Sequence, residues 1–154
     1  MKAAHVFLLL FLAAQSFASG NSTEKRAAEL DIHEAVIRFQ IKTWDLEASS
    51  YCVSINGKTP SKELLKRLNP LPVKIASGCR KKTIAGVQMS VLDKQTGKRS
   101  VIFDVGSIRW LKGGEAEVDG GYVCGSLCMA AGTYHVIRDQ TGWTVTKFAK
   151  QVVS

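Results

Sequence analysis

Residues 100–149 read SVIFDVGSIRWLKGGEAEVDGGYVCGSLCMAAGTYHVIRDQTGWTVTKFA, and this stretch decides the fold class. Val101, Phe103 and Val105 alternate with Ile102, Asp104 and Gly106. Tyr134 and Val136 alternate with His135 and Ile137, and Trp143 and Val145 with Thr144 and Thr146. An apolar period of two sends alternate side chains to opposite faces, which is the pattern of a strand with one buried side. Working backwards, strand segments are expected near 73–82, 86–93, 100–111, 115–123, 131–138 and 143–149. Lys94-Gln95-Thr96-Gly97, Gly113-Gly114 and Asp139-Gln140-Thr141-Gly142 are the turn signals between them. Connections this short favour antiparallel pairing.

Upstream the period changes. Residues 21–48 read mostly as one long helix, with Asn21/Glu24 and Asp31/Glu34 as two capping-box starts. Ile32, Ala35, Val36, Phe39 and Leu46 fall on one side, and Leu30, Ile37, Ile41, Trp44 and Ala48 on the opposite side. A helix apolar on two sides needs cover on both, from the rest of the chain or from a second copy, so a homodimer through this helix is a candidate assembly. Tyr51 to Ile55 is a short strand closed by Asn56-Gly57. A second helix follows, with Thr59 as N-cap, Pro60 in the first turn and Asn69-Pro70 ending it. Leu64, Leu65 and Leu68 form its buried side, while Lys62, Lys66 and Arg67 are expected in water. Two helices followed by a run of strands indicate an α+β domain: a long and a short helix on a curved antiparallel sheet.

The first residues, MKAAHVFLLLFLAAQSFASG, are set apart. Lys2, the apolar run Val6–Ala14 and small residues at Ser16 and Ala18 make up a secretory signal peptide over 1–18, with cleavage before Ser19. The run is shorter than the roughly 20 residues of a membrane-spanning helix, and no later segment reaches that length. The remaining 19–154 is expected to be one domain, exported to the periplasm or outside the cell. Apolar residues at 45% and charged residues at 22% exclude a disordered chain, a collagen-like repeat and a multi-pass membrane protein.

Export shapes the reading of Cys52, Cys79, Cys124 and Cys128. In an oxidising compartment an even count favours disulfides, and four cysteines allow three connectivities. Cys124–Cys128 with Cys52–Cys79 is the favoured set, because Gly125 and Ser126 give the short loop the freedom to close. Two alternatives stay open. Cys124, Cys128 and His135 form a C-x3-C-x6-H pattern that would still need a fourth ligand to hold zinc. A redox pair is the other, although its spacing departs from C-x-x-C.

The helix–strand–helix–strands order, ending in Thr133–Arg138 and Gly142–Val145, resembles nuclear transport factor 2-like (cystatin-like α+β) domains. Separately, Gly120-Gly121-Tyr122-Val123-Cys124-Gly125-Ser126-Leu127-Cys128 resembles a G-G-Y-x-C-G-x-L-C segment of exported, mostly uncharacterised bacterial proteins. The likeness covers most of 30–149. It implies a helix lying in the concavity of a curved antiparallel sheet and an envelope location, and no established activity. Domains of the first kind often hold a pocket between helix and sheet, and several enzymes among them use Asp or His as acid or base.

On that implication His135 and Asp104 are the catalytic candidates. Strand alternation, however, sends His135 away from Tyr134 and Val136 and so away from a core pocket. His33 falls beside the charged stripe of the long helix and is expected in solvent. Gly57-Lys58-Thr59 imitates the end of a phosphate loop, but Cys52 stands where the pattern needs its first glycine. No G-x-S-x-G or H-E-x-x-H occurs, and no cofactor or metal is implied. Asn21-Ser22-Thr23 is a glycosylation sequon beside the expected new N-terminus.

Charge is the remaining signal. The whole chain carries +8, and loss of Lys2 leaves 20 basic against 13 acidic residues, or +7. Residues 58–99 hold eleven basic residues against Glu63 and Asp93, or +9, so the excess belongs to this segment. Lys58, Lys62, Lys66, Arg67, Arg80, Lys81 and Lys82 are the anion-binding candidates, toward an anionic envelope component or a protein partner. Aromatic residues are absent from 58–99, so no stacking platform for nucleic acid is present there. The expected function is a small exported binding module, with an acid–base enzyme as the competing class.

Overall fold

The computed structural model describes residues 17–153, apart from 45, 85 and 87. The signal peptide expected over 1–18 thus lies outside the described residues, save for its last two. In chain order the elements are α1 (Phe17–Trp44), β1 (Tyr51–Ile55), α2 (Lys62–Arg67), β2 (Val73–Ile75), a 3-10 turn (Ala76–Gly78), β3 (Cys79–Ile84), β4 (Gln88–Asp93), β5 (Val101–Trp110), β6 (Glu115–Gly125), β7 (Cys128–Asp139) and β8 (Gly142–Val153). The fold is α+β: one long helix on an open, mixed sheet of eight strands.

Strand β6 is the hub of the sheet. One edge pairs β5 from Ala116 to Val123 and then meets β4 at Ser90↔Gly125; the other edge pairs β7, which in turn pairs β8. All of these ladders are antiparallel, as the short turns predict. The exception is β1, which runs parallel to both β2 and β5. Parallel neighbours need a crossover of a dozen residues or more, usually helical, and residues 56–72 with α2 supply it for β2. The antiparallel expectation failed at β1 because the second helix is a crossover between parallel strands.

Helix α1 starts no later than Phe17, so Asn21/Glu24 and Asp31/Glu34 are interior pairs and not caps. Asp31 and Glu34 instead meet Arg67 of α2, with Asp31 Oδ1 2.6 Å and Glu34 Oε2 3.8 Å from its guanidinium. Arg38 pairs with Glu34 at 2.9 Å and donates to the Arg67 carbonyl at 2.7 Å. α2 itself is capped by Ser61, whose Oγ accepts from the Leu64 N–H at 3.1 Å, two residues beyond the expected Thr59. Pro60 precedes that cap and is buried.

Both apolar sides of α1 are covered within the chain. Ile32, Val36, Ile37 and Gln40 are fully buried among Val53, Phe103, Val105, Tyr134 and Val136, with Leu64 and Leu68 of α2. Leu30, Phe39, Ile41 and Trp44 pack around this cluster, so burial of the helix calls for no second subunit. Rings fill the space between helix and sheet: Phe39 meets Tyr134 edge-on at 5.9 Å, and Trp44 lies between Tyr122 at 5.0 Å and Phe148 at 5.4 Å. Buried Gln40 donates from Nε2 to the Gly121 carbonyl at 3.2 Å and to Tyr134 Oη at 3.0 Å, tying the helix to the middle of the sheet.

The expected strand 73–82 is broken by Ala76-Ser77-Gly78, which turns the chain so that β3 and β4 form a separate two-stranded ribbon. Its base is held by two devices. The disulfide Cys52–Cys79 joins β1 to β3 across a Cα separation of 6.0 Å. Beside it Asp93 is 1% exposed and fully engaged. Its carboxylate takes Lys74 Nζ at 2.5 Å, Ser50 Oγ at 2.8 Å, and the N–H groups of Gln95 and Thr96 at 2.8 and 3.0 Å. Ser100, also buried, donates from Oγ to the Ser50 carbonyl at 2.6 Å, linking the start of β5 to the same node.

The Lys74 ammonium, then Ser50 and the turn N–H groups, hold the Asp93 carboxyl well below the usual carboxylate range. The folded state therefore favours the ionised form more than the unfolded chain does. The resulting stability is complete above the ordinary value near 3.9 and is lost as pH falls from there toward the lower native value. Urea unfolding midpoints are expected to drop between pH 5 and pH 2. Asp93→Asn should start lower at pH 6 and show a shallower pH dependence; an unaltered slope would refute this role.

Candidate functional site

The face of the sheet turned away from α1 gathers the polar side chains. In the register Phe103↔Tyr122, Asp104↔Gly121 and Glu117↔His135, core and outer residues alternate on every long strand. His135 and Asp104 both stand on the outer face, as alternation predicts for the histidine. Gly121 and Glu117, their partners on β6, are four residues apart, which places the two candidates about 13 Å apart along that strand. Each already has a neighbour. His135 Nδ1 lies 3.4 Å from Glu117 Oε1, and Ser54 Oγ donates to Asp104 Oδ1 at 2.5 Å. Acid–base work needs its groups within hydrogen-bond reach of one substrate atom, and these two do not converge.

Between them runs a ladder that the sequence did not single out. Arg109 pairs with Glu117 at 2.7 Å and with Asp119 at 3.2 Å. Thr133 Oγ1 donates to Asp119 at 2.8 Å, and Gln151 donates to Thr133 at 3.3 Å. Only the period of two could have flagged these residues, as outward-facing and polar. Next to the ladder is a shallow depression of about 350 Å³ with Ile102, Val123, Met129 and Ala131 beneath and Asp104 and Asp119 at its rim.

The segment Gly120–Cys128 turns out to be architectural. A Cβ on Gly120 would lie 2.6 Å from the Asp104 carbonyl oxygen, and one on Gly121 would lie 2.1 Å from that of Ala130. Residues 120 and 121 are glycine because β5, β6 and β7 approach too closely for any side chain. Tyr122 faces the core against Trp44 and Phe103. Cys124 and Cys128 are joined across a Cα separation of 5.2 Å, closing the β6–β7 turn. In that turn Ser126 Oγ accepts from the Met89 N–H at 2.6 Å, and Leu127 is 82% exposed. His135 lies seven strand residues beyond Cys128, about 23 Å away, so the C-x3-C-x6-H set does not form a metal centre. Among the described residues no group of three or more potential ligands comes together.

The basic candidates divide into three groups. Arg80, Lys81 and Lys82 are exposed on β3, an edge strand paired only with β4. Lys94, Lys98 and Arg99 are exposed at the ribbon's base. Lys58, Lys62 and Lys66 are exposed around α2. Arg67 departs from expectation: its guanidinium is clamped by Asp31, Glu34 and Glu63, and the hydrogen bond it donates to Asp31 leads the effects that raise its pKa. His33 departs too. It is largely buried, and loss of water lowers its pKa against the pull of Glu29. Its place opposite the β1–α2 loop, a tertiary contact, is why helical periodicity put it in solvent.

No helix among the described residues is long and apolar enough to cross a membrane. Compared with protein-family models, curated proteins and solved structures, the chain gives no match.

The two disulfides close loops of very different length, with sequence separations of 27 and 4. Loop-closure entropy then assigns about 3.5 kcal/mol to Cys52–Cys79 and about 2 kcal/mol to Cys124–Cys128. Paired Cys→Ala variants are expected to rank in that order in denaturant unfolding. Equal losses, or a reversed order, would show that loop length does not govern their contributions.

Proposed function

We propose that this protein is an exported binding module that docks a polyanionic envelope component on the ribbon β3–β4. The observation that carries the reading is the distribution of charge there. Arg80, Lys81, Lys82, Lys94, Lys98 and Arg99 are all exposed, and among the described residues none has a carboxylate within ion-pair distance. The ribbon's one carboxylate, Asp93, is buried on Lys74, so nothing on the ribbon's surface neutralises these cations. Unscreened like charges on a thin projecting element focus an attractive field for anions.

Three further points support it. The leader-like residues 1–18 and the two disulfides fit an exported protein of the periplasm or exterior. The space between helix and sheet, where a nuclear transport factor 2-like enzyme would keep its pocket, is filled by Phe39, Gln40, Trp44 and Tyr134. A relationship to that fold accounts for a helix seated on long antiparallel strands, while the parallel β1 sets this chain apart from it. The lack of aromatic residues over 58–99 favours lipid headgroups or acidic polysaccharide over nucleic acid.

Near an anionic membrane each Lys or Arg contributes about 1 kcal/mol. Arg80→Glu/Lys81→Glu/Lys82→Glu is therefore expected to weaken binding to vesicles rich in anionic phospholipid by at least about 100-fold. It should also elute from heparin at clearly lower salt. Lys62→Glu/Lys66→Glu, on α2, should retain most of the binding. Retention unchanged by the ribbon variant would sink the proposal.

A further inference from the structure

A second place in the molecule has the makings of a ligand site, independent of the ribbon. The first half of α1 and the loop from β1 to α2 enclose a cleft of about 330 Å³ at the C-terminal end of β1. Leu30, Ile55, Pro60 and Leu64 give it apolar lining, and Arg26 and Lys58 also line it. Both cations are exposed, and among the described residues neither has a carboxylate within ion-pair distance. Asn56 and Gly57 take left-handed backbone angles, φ +51° and +69°. They make a tight turn in which the Ile55 and Lys58 backbones bond to each other at 2.9 Å. That turn fixes where Lys58 and Thr59 enter the cleft.

His33 lines the same cleft. Its Nε2 is sealed from solvent and has no hydrogen-bond partner among the described residues. A buried polar nitrogen without a partner costs about 1–3 kcal/mol. The other charged groups at the site are Glu29 on α1 and Glu63 on α2, and Glu63 is already taken by Arg67 at 3.1 Å.

We infer that this cleft binds a small organic anion with an apolar body. The carboxylate sits between Arg26 and Lys58, the body rests on Leu30, Ile55, Pro60 and Leu64, and the ligand lies against the His33 side chain that lines the same cleft. Arg supplies the planar, two-pronged donor that carboxylates favour, and Lys supplies a point charge beside it. An apolar wall with a few convergent polar groups is the usual make-up of a small-molecule site. The imitation of a phosphate loop at Gly57-Lys58-Thr59 acquires a different meaning here: Lys58 and Thr59 face an anion from a hairpin turn, not from a helix start.

Benzoate is a suitable probe, with benzyl alcohol as its neutral counterpart and inorganic phosphate as an anion without an apolar body. Nitrogen-15 NMR of the imidazoles reads the result, with His33 assigned through His33→Gln. His135, on the outer face, serves as an internal reference. Benzoate is expected to shift the His33 resonances saturably at pH 7 and to leave His135 unmoved. Arg26→Glu/Lys58→Glu should weaken that response at least tenfold, with unchanged His135 signals reporting an intact fold. Benzyl alcohol and phosphate should each bind at least tenfold more weakly than benzoate. His33 signals unmoved by saturating benzoate, equal binding of either control compound, or full binding by the charge-reversed variant would each overturn the assignment.

Discussion

The carboxylate of Asp93 is the constraint on which the rest of the arrangement depends. An ionised group taken out of water costs several kcal/mol unless each of its oxygens is satisfied. Here Lys74, Ser50 and two turn N–H groups satisfy it, and the node joins three separate stretches of chain. Lys74 belongs to β2, Ser50 precedes β1, Asp93 ends β4, and Gln95 and Thr96 form the turn toward β5. Those stretches cannot move apart without leaving a charge buried and unpaired. Cys52–Cys79 repeats the constraint covalently two residues along from Ser50. Together they set the ribbon over the outer face, where Val91 packs on Ile102 and Val123 in a small second core.

This node also explains why the basic segment is so unbalanced at the surface. Residues 58–99 contain only two carboxylates, and the fold uses both internally. Asp93 holds Lys74, and Glu63 pairs along α2 with Arg67, whose guanidinium also meets Asp31 and Glu34 of α1. Two of the eleven cations are thereby spent on architecture and the other nine are exposed. Three successive exposed cations on β3 also guard an open edge against pairing with another strand. A purely protective edge would be served by one or two charges, whereas here the connection from β4 to β5 adds three more, Lys94, Lys98 and Arg99.

Much of this was legible in the residues. Alternation and turn signals located β4 to β8, and alternation sent His135 outward, because period two survives wherever one face is buried. The turn glycines were readable because Gly97 and Gly114 do take positive φ, and the Asp93 and Asp139 side chains accept from turn N–H groups as such turns require. What failed depends on partners distant in sequence. Asp31/Glu34 has the spacing of a capping box and is in fact half of an interhelix ion-pair cluster. Thr59 and Ser61 are both adequate caps, and burial of Pro60 between them decides for Ser61. Parallel pairing of β1 follows from what α2 crosses, which no local pattern records. His33 was misplaced because a helical wheel says nothing of a loop that folds back over it.

The same reasoning limits where function can reside. Helix α1 is apolar on two sides and both are consumed, one by the sheet and the other by α2 and the chain after Trp44. The Gly120–Cys128 segment, the most distinctive in the chain, is explained by close strand approach, a core tyrosine and a clamped turn. Distinctive sequence here marks a tight spot in the architecture, so it is weak ground for assigning chemistry. The groups left without structural employment lie elsewhere: the exposed cations of the ribbon, and Arg26, Lys58 and His33 Nε2 around one cleft. A fold this economical with its carboxylates leaves positive charge as its free resource, and both places where that charge gathers face outward to an anion.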